Sequence, residues 1–145
     1  MIDVQLARTR QQLDRCLAMR RTVFTEELGV PPEVDVDERD GLDGECLHFL
    51  VTDGGRDIGA IRCTPQEDGT VRLQRFCIHK DSRSHGAGRL TLRFLEGFFA
   101  GRGYHALCLD AKCSAEGFYL KCGYTAVSGV FEEAGVPHVA MRREL

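Results

Sequence analysis

VRLQRFCIHKDSRSHGAGRLTLRFLEGFFAGR, residues 71–102, reads as a strand, a glycine loop and a helix in succession. Residues 71–78 alternate with the period of a β-strand. Val71, Leu73, Arg75 and Cys77 point one way; Arg72, Gln74, Phe76 and Ile78 point the other. Residues 86–102 put Leu90, Phe94 and Phe98 on one row and Leu92, Leu95 and Phe99 on the next. So wide a stripe predicts a helix packed deeply against a sheet. Between the two lies Arg83-Ser84-His85-Gly86-Ala87-Gly88. Glycine lets backbone approach a ligand closely, and a helix N-terminus offers free N–H groups and partial positive charge. Such a place suits phosphate, and Arg83 and Arg89 can add charge-assisted hydrogen bonds. The plain alternative is an ordinary strand-to-helix turn. No Gly-Lys-Ser/Thr follows, so the loop is not a P-loop. A dinucleotide fingerprint would need a third glycine where Thr91 stands, and it would start directly after the strand, without roughly six or seven intervening polar residues.

On the N-terminal side, a short strand at 3–6 precedes Thr9, a good helix N-cap. Leu13, Cys16, Leu17, Val23 and Phe24 then mark an amphipathic helix to about residue 27. Gly29 and Pro31-Pro32 stop it. Residues 29–45 carry Asp, Glu, Gly and Pro with almost no large apolar side chain. This predicts a long surface loop, a length that usually signals function or disorder. Strands follow at 47–53 and 58–63 around Gly54-Gly55. On the C-terminal side come a short strand at 106–110, a short helix at 114–122 closed by Gly123, and two strands at about 124–131 and 138–143. The order predicts one α/β (α+β) domain over 1–145: a mixed, mostly antiparallel sheet of about six or seven strands flanked by helices.

Composition limits the function. The 19 basic and 22 acidic residues leave a formal charge of −3, which does not suit nucleic-acid binding across the whole surface. No window approaches the roughly 18 apolar residues of a membrane span, and the first ten residues lack a signal-peptide core, so the expected compartment is the cytoplasm. The seven cysteines form no C-x-x-C pair and read as reduced thiols serving as small hydrophobes. No spacing suggests a metal.

Two motifs narrow the reading further. Arg-x-x-Gly-x-Gly at 83–88 resembles the acetyl-CoA pyrophosphate loop of the GNAT N-acetyltransferases. Ala115-Glu116-Gly117-Phe118-Tyr119-Leu120-Lys121-Cys122-Gly123-Tyr124 resembles that family's second signature, A-x-x-F-Y-x-K-x-G-F/Y. The likeness extends to Arg20-x-x-Val23-Phe24-x-x-Glu27-x-Gly29-Val30-Pro31, to Leu42-Asp43 with His48, and to 134–138. These are similar to the small bacterial GNAT subgroup typified by YjcF and, less closely, ElaA.

The resemblance implies a sheet splayed between strands 71–78 and 106–110, with the pantetheine arm in the gap against Phe76, Cys77 and Ile78. It implies a backbone N–H near Phe76 polarising the thioester carbonyl, N–H groups of Ser84, His85, Gly86, Ala87, Gly88 and Arg89 on the pyrophosphate, and Phe118 lining the cofactor pocket. Tyr119 stands where many members carry the general acid for the departing thiolate. Gln74 stands near the position where many carry a Glu base, and Lys112 stands where the second signature often has Asn. His48 and His138 are the replacement base candidates. Arg20, Phe24, Glu27, Asp43 and Gln74 are candidate acceptor-site residues, and Cys77 leaves an acyl-cysteine route open. The implied activity is acetyl transfer from acetyl-CoA to an amine, most simply a small molecule, with a protein amine and a homodimer left open. The alternative is a non-catalytic acyl-CoA-binding or sensor module.

Overall fold

The Thr9 hydroxyl accepts the Gln12 N–H, and the Gln12 side chain accepts the Thr9 N–H, each at 3.2 Å. This reciprocal cap starts the first helix where the spacing predicts. In the computed structural model, which describes all 145 residues, α1 covers Arg10–Arg20 and continues as a π-helix over Arg21–Glu27. The segment read as a loop then holds one helical turn, α2 (Pro32–Asp35), because Pro32 at its start already has the helical φ.

The strands are β1 (Ile2–Leu6), β2 (Leu47–Asp53), β3 (Arg56–Pro65), β4 (Thr70–Ile78), β5 (Ala106–Lys112), β6 (Thr125–Ala126), β7 (Phe131–Glu133) and β8 (Val136–Glu144). They form one sheet in the order β1-β2-β3-β4-β5-β8-β6, with β7 also paired to β8. Eight strands replace the six or seven expected. The stretch 124–131 is two short strands on the same partner, interrupted where the Ser128 hydroxyl takes the Ala140 N–H. Helices α3 (Ala87–Ala100) and α4 (Glu116–Lys121) complete the fold.

α3 lies over one face of the sheet, sealing Leu92, Leu95 and Phe99 against Phe49, Val71, Leu73, Leu107 and Met141. Its second row sits at the margin of this contact: Leu90 is 51% and Phe94 38% exposed, so the helix is buried less broadly than its stripe suggests. α1 covers the opposite face of β2 and β3. There Cys16, Met19 and Val23 pack on Leu50, Ala60 and Cys77.

Two departures from a regular sheet shape the middle of the molecule. First, β4 and β5 are parallel and pair only through Thr70, Val71 and Arg72 against Ala106, Leu107 and Cys108. Beyond that point the strands part. Second, β4 bulges. Gln74 pairs with Arg62 and Cys77 with Ala60, so Arg75 and Phe76 together oppose the single residue Ile61. Arg75 takes the left-handed φ of 53°. The strict alternation read from the sequence therefore fails at this point. Val71 and Leu73 face α3, but the Arg75 guanidinium turns to the α1 side, and Phe76 and Ile78 pack on the α3 side. The physical reason is that unbroken alternation would carry a guanidinium into the apolar layer under α3. Past the bulge β4 presses so close to β3 that a Cβ on Gly59 would lie 2.5 Å from the Cys77 carbonyl oxygen.

Candidate active site

The parting of β4 and β5 opens a cleft of about 600 Å3, within the size range of small-molecule sites. Phe76, Cys77 and Ile78 form one wall. Arg83, Ser84, Gly86, Ala87, Gly88 and Arg89 form the end at the N-terminus of α3, and Phe118 and Tyr119 of α4 close the other side. All were candidates from the sequence. Ser82 and Ala115 also line the cleft and were missed; they flank the two motifs and carry no chemical signature. His85 is exposed and does not line it.

The glycine loop has the shape of an anion cradle. Ser84 (φ 65°) and Gly86 (φ 84°) both adopt left-handed conformations just before α3, the kind of turn whose successive N–H groups can form an anion-binding concavity. A Cβ on Gly88 would meet the Phe118 ring at 2.9 Å, so the bare backbone of the first helical turn and the aromatic wall touch. Arg83 is already engaged. Its Nε donates to the Ile78 carbonyl at 2.9 Å, and its two terminal nitrogens hold Glu27 at 2.7 Å each. Glu27, expected at the acceptor, is thus held at the glycine-loop end of the cleft. The hydrogen bonds from Arg83, helped by its charge, lower the Glu27 carboxyl below the ordinary range.

Tyr119 packs edge-on against Phe118 and Tyr124, and its hydroxyl bonds to no protein group. Burial pushes the phenol up to about 12, so it holds its proton throughout the neutral range. Cys77 lines the cleft through its place on β4 while its side chain packs under α1. Burial pushes that thiol up to about 12, which leaves no thiolate for an acyl-cysteine route.

The remaining candidates lie on the α1 side. His48, Arg62 and Gln74 are register partners across β2, β3 and β4. The Gln74 side-chain oxygen accepts from Arg62 Nη2 at 3.2 Å. His48 is therefore two strands, about 10 Å, from the edge of the cleft, with a guanidinium between. It is buried beneath residue 39, its Nε2 3.3 Å from the Arg39 carbonyl, and burial lowers its pKa. His138 stands opposite Lys112 on β8, stacked on Phe131. Its Nδ1 lies 2.7 Å from the Val136 carbonyl and its Nε2 3.5 Å from Glu133. Phe24 packs on the core beneath α1, and Asp43 is exposed and unpaired.

Arg20 is not open to a ligand. It is 1% exposed, bound to Asp40 at 2.7 Å and Asp35 at 3.3 Å. Arg62, equally buried, holds Asp37 at 2.8 Å and Asp40 at 3.1 Å. Residues 35–40 are thus clamped onto the sheet by arginines. This cluster was not foreseen, since pairs 15 to 25 residues apart follow no periodicity. Asp35, Asp37 and Asp40 are all charge-paired in it.

A family model described as an acetyltransferase (GNAT) domain matches residues 32–145. An uncharacterized N-acetyltransferase, YjcF, of Bacillus subtilis is 36% identical over 140 residues, covering 96% of this chain and 97% of the relative. Among solved structures, a Lactobacillus plantarum protein provisionally classed as an N-acetyltransferase superposes with a TM-score of 0.92 at 29% identity, over 99% of this chain and 98% of that one. An aminoglycoside 6'-N-acetyltransferase complexed with coenzyme A shares the fold, with a TM-score of 0.76 at 20% identity over 99% and 96% of the two chains.

Proposed function

The chain belongs to the GNAT acetyltransferase family, and on that premise we propose that it moves an acetyl group from acetyl-CoA to the amine of a small molecule by direct attack in a ternary complex. The observation that carries this reading is the fork between β4 and β5. It opens into one cleft with a glycine cradle at one end and a protonated, unpartnered phenol at the other. The cleft is large enough for a pantetheine arm, and the left-handed turns at Ser84 and Gly86 suit a pyrophosphate.

Acetyl-CoA supplies an activated acyl carbon, and the chain's own groups do the rest. The unpaired edge of β4 beyond Arg72 offers backbone to the pantetheine amides, as an added strand would. The bulge at Arg75 and Phe76 leaves an N–H free to polarise the thioester carbonyl. As the carbon–sulfur bond breaks, Tyr119 gives its proton to the thiolate. The amine enters from the side opposite α3, where Gln74 orients it without taking a proton. The proton lost by the amine passes to water or to His138, the histidine not screened by Arg62. Reaction in the cytoplasm agrees with seven free thiols.

Release of CoA in the presence of a panel of small amines, with no release in their absence, is the expected result. The absence of a carboxylate at Gln74 favours a second reading, a CoA-binding module without turnover. Tight CoA binding with no amine-dependent release across the panel would establish it.

A further inference from the structure

We propose that Arg75 is the positioning residue of the acyl site: its side chain, tied to the segment over 34–37, holds the β4 bulge in the conformation that aims the Phe76 N–H at the thioester carbonyl. The inference rests on the acetyl-CoA reading above and adds to it a residue that touches neither substrate. Three independent observations carry it. Arg75 has a φ of 53°, a region that an L-residue with a long side chain occupies only when its surroundings enforce it. It is the inserted residue of the bulge, directly before Phe76 on the edge of β4 that lines the cleft. Its guanidinium makes the contacts that can enforce such a backbone: Nε donates to the Asp35 carbonyl at 3.1 Å and Nη2 to the Val34 carbonyl at 3.4 Å, with the carboxylates of Asp35 at 3.4 Å and Asp37 at 3.9 Å.

Those anchors are themselves fixed. Asp35 is held by Arg20, and Asp37 by Arg62. The segment that crosses the acceptor side is thereby joined through one side chain to the backbone that polarises the acyl group. The flanking pairs Gln74–Arg62 and Cys77–Ala60 keep two residues opposite one, but without that side chain the left-handed conformation of residue 75 loses the contacts that offset its strain. Relaxation would rotate the following peptide and turn the Phe76 N–H away from the carbonyl.

Glycine tests this directly, because it occupies positive φ without strain. Arg75→Ala and Arg75→Gly both remove the guanidinium, but only alanine penalises the bulge. The three proteins should be compared by kcat and KM in amine-dependent CoA release, by the dissociation constant for CoA, and by the infrared carbonyl band of bound 13C-labelled acetyl-CoA. Loss of one oxyanion donor typically costs 10²–10³-fold in rate, and a misaimed donor should cost at least about tenfold. Arg75→Ala should therefore lose at least about tenfold in kcat, keep its CoA affinity within a few-fold, and show a carbonyl band near that of free acetyl-CoA. Arg75→Gly should recover most of the rate and the shifted band. A carbonyl band and kcat in Arg75→Ala equal to those of the unaltered protein would overturn the proposal alone. So would an Arg75→Gly protein as slow as Arg75→Ala, since the guanidinium itself would then be required. An unaltered chain that fails to bind acetyl-CoA would overturn the cofactor reading, and this inference with it. Should Arg75→Ala not fold, the band in Arg75→Gly decides: a shifted band supports the role of the backbone and a free-like band ends it.

Discussion

Tyr119 shows how one atom can be tested apart from its surroundings. Its ring is part of the packing between Phe118 and Tyr124, while its hydroxyl has no partner and keeps its proton well above neutral pH. Tyr119→Phe removes only the oxygen, so CoA affinity should stay within a few-fold. General acid catalysis is worth about 10²–10⁴-fold, and turnover should fall by that order where thiolate departure limits the rate. Comparable loss of CoA affinity would instead mark the phenol as a binding group. Tyr119 and the loop residues were legible because each stands in a contiguous motif whose chemistry is written locally. Arg75 was legible only as an inconsistency, a guanidinium in the apolar phase of a strand, and the bulge is how the chain resolves it. Arg20, Asp35, Asp37, Asp40 and Arg62 left no local trace, because their pairing depends on where a long segment lies across the sheet.

On the proposed reading, cofactor binding depends on the loop and first turn of α3. Gly88 touches the Phe118 ring so closely that any side chain there must displace the aromatic wall, and on the proposed reading it would also meet the cofactor's phosphate. Gly88→Val should weaken CoA by at least about tenfold, or about 1.4 kcal/mol, with little change in thermal midpoint. Isothermal titration checks it, and an unchanged dissociation constant in the folded variant would remove the loop from the cofactor site. α3 and β2 to β4 were readable because each carries a run of apolar residues bounded by Gly, Asp or polar turns, even though the alternation in β4 breaks at Arg75. The strand over 124–131 was misjudged because Val127 and Val130 look like strand residues, yet they are 57% and 70% exposed on a break between β6 and β7. The seven-residue π-helix at the end of α1 has no signature in its residue pattern and was read as plain helix.

The molecule joins two unlike layers across its sheet: an apolar one beneath α3, and on the α1 side one that passes from a small apolar core to buried ion pairs under residues 35–40. The second layer gives the whole fold a pH dependence. Burial alone would push the Asp40 carboxyl up, but hydrogen bonds from Arg20 and the Asp37 N–H, with the charges of Arg20 and Arg62, hold it at about 2. A carboxyl lowered on folding stabilises the fold above its ordinary pKa near 4, and that contribution disappears as the pH falls through about 2. His48 acts in the same direction at higher pH. Burial lowers its pKa, so as the pH falls through about 6.5 the unfolded chain takes up a proton before the folded chain does. Stability should therefore peak between about pH 7 and 8, decline on the acid side first with His48 and again below about pH 4, and decline above about pH 8.5, where the unfolded chain loses thiol protons that buried Cys16 and Cys77 keep. Asp40→Asn leaves Arg20 and Arg62 buried without that countercharge, and removing one partner of such a pair costs about 3–5 kcal/mol. Urea unfolding at a series of pH values should show that loss in full at neutral pH. The two proteins should converge toward pH 2, because acid then neutralises Asp40 in the unaltered chain as the substitution does permanently. Curves that remain parallel down to pH 2 would mean that the Asp40 carboxylate contributes geometry to the clamp and no charge.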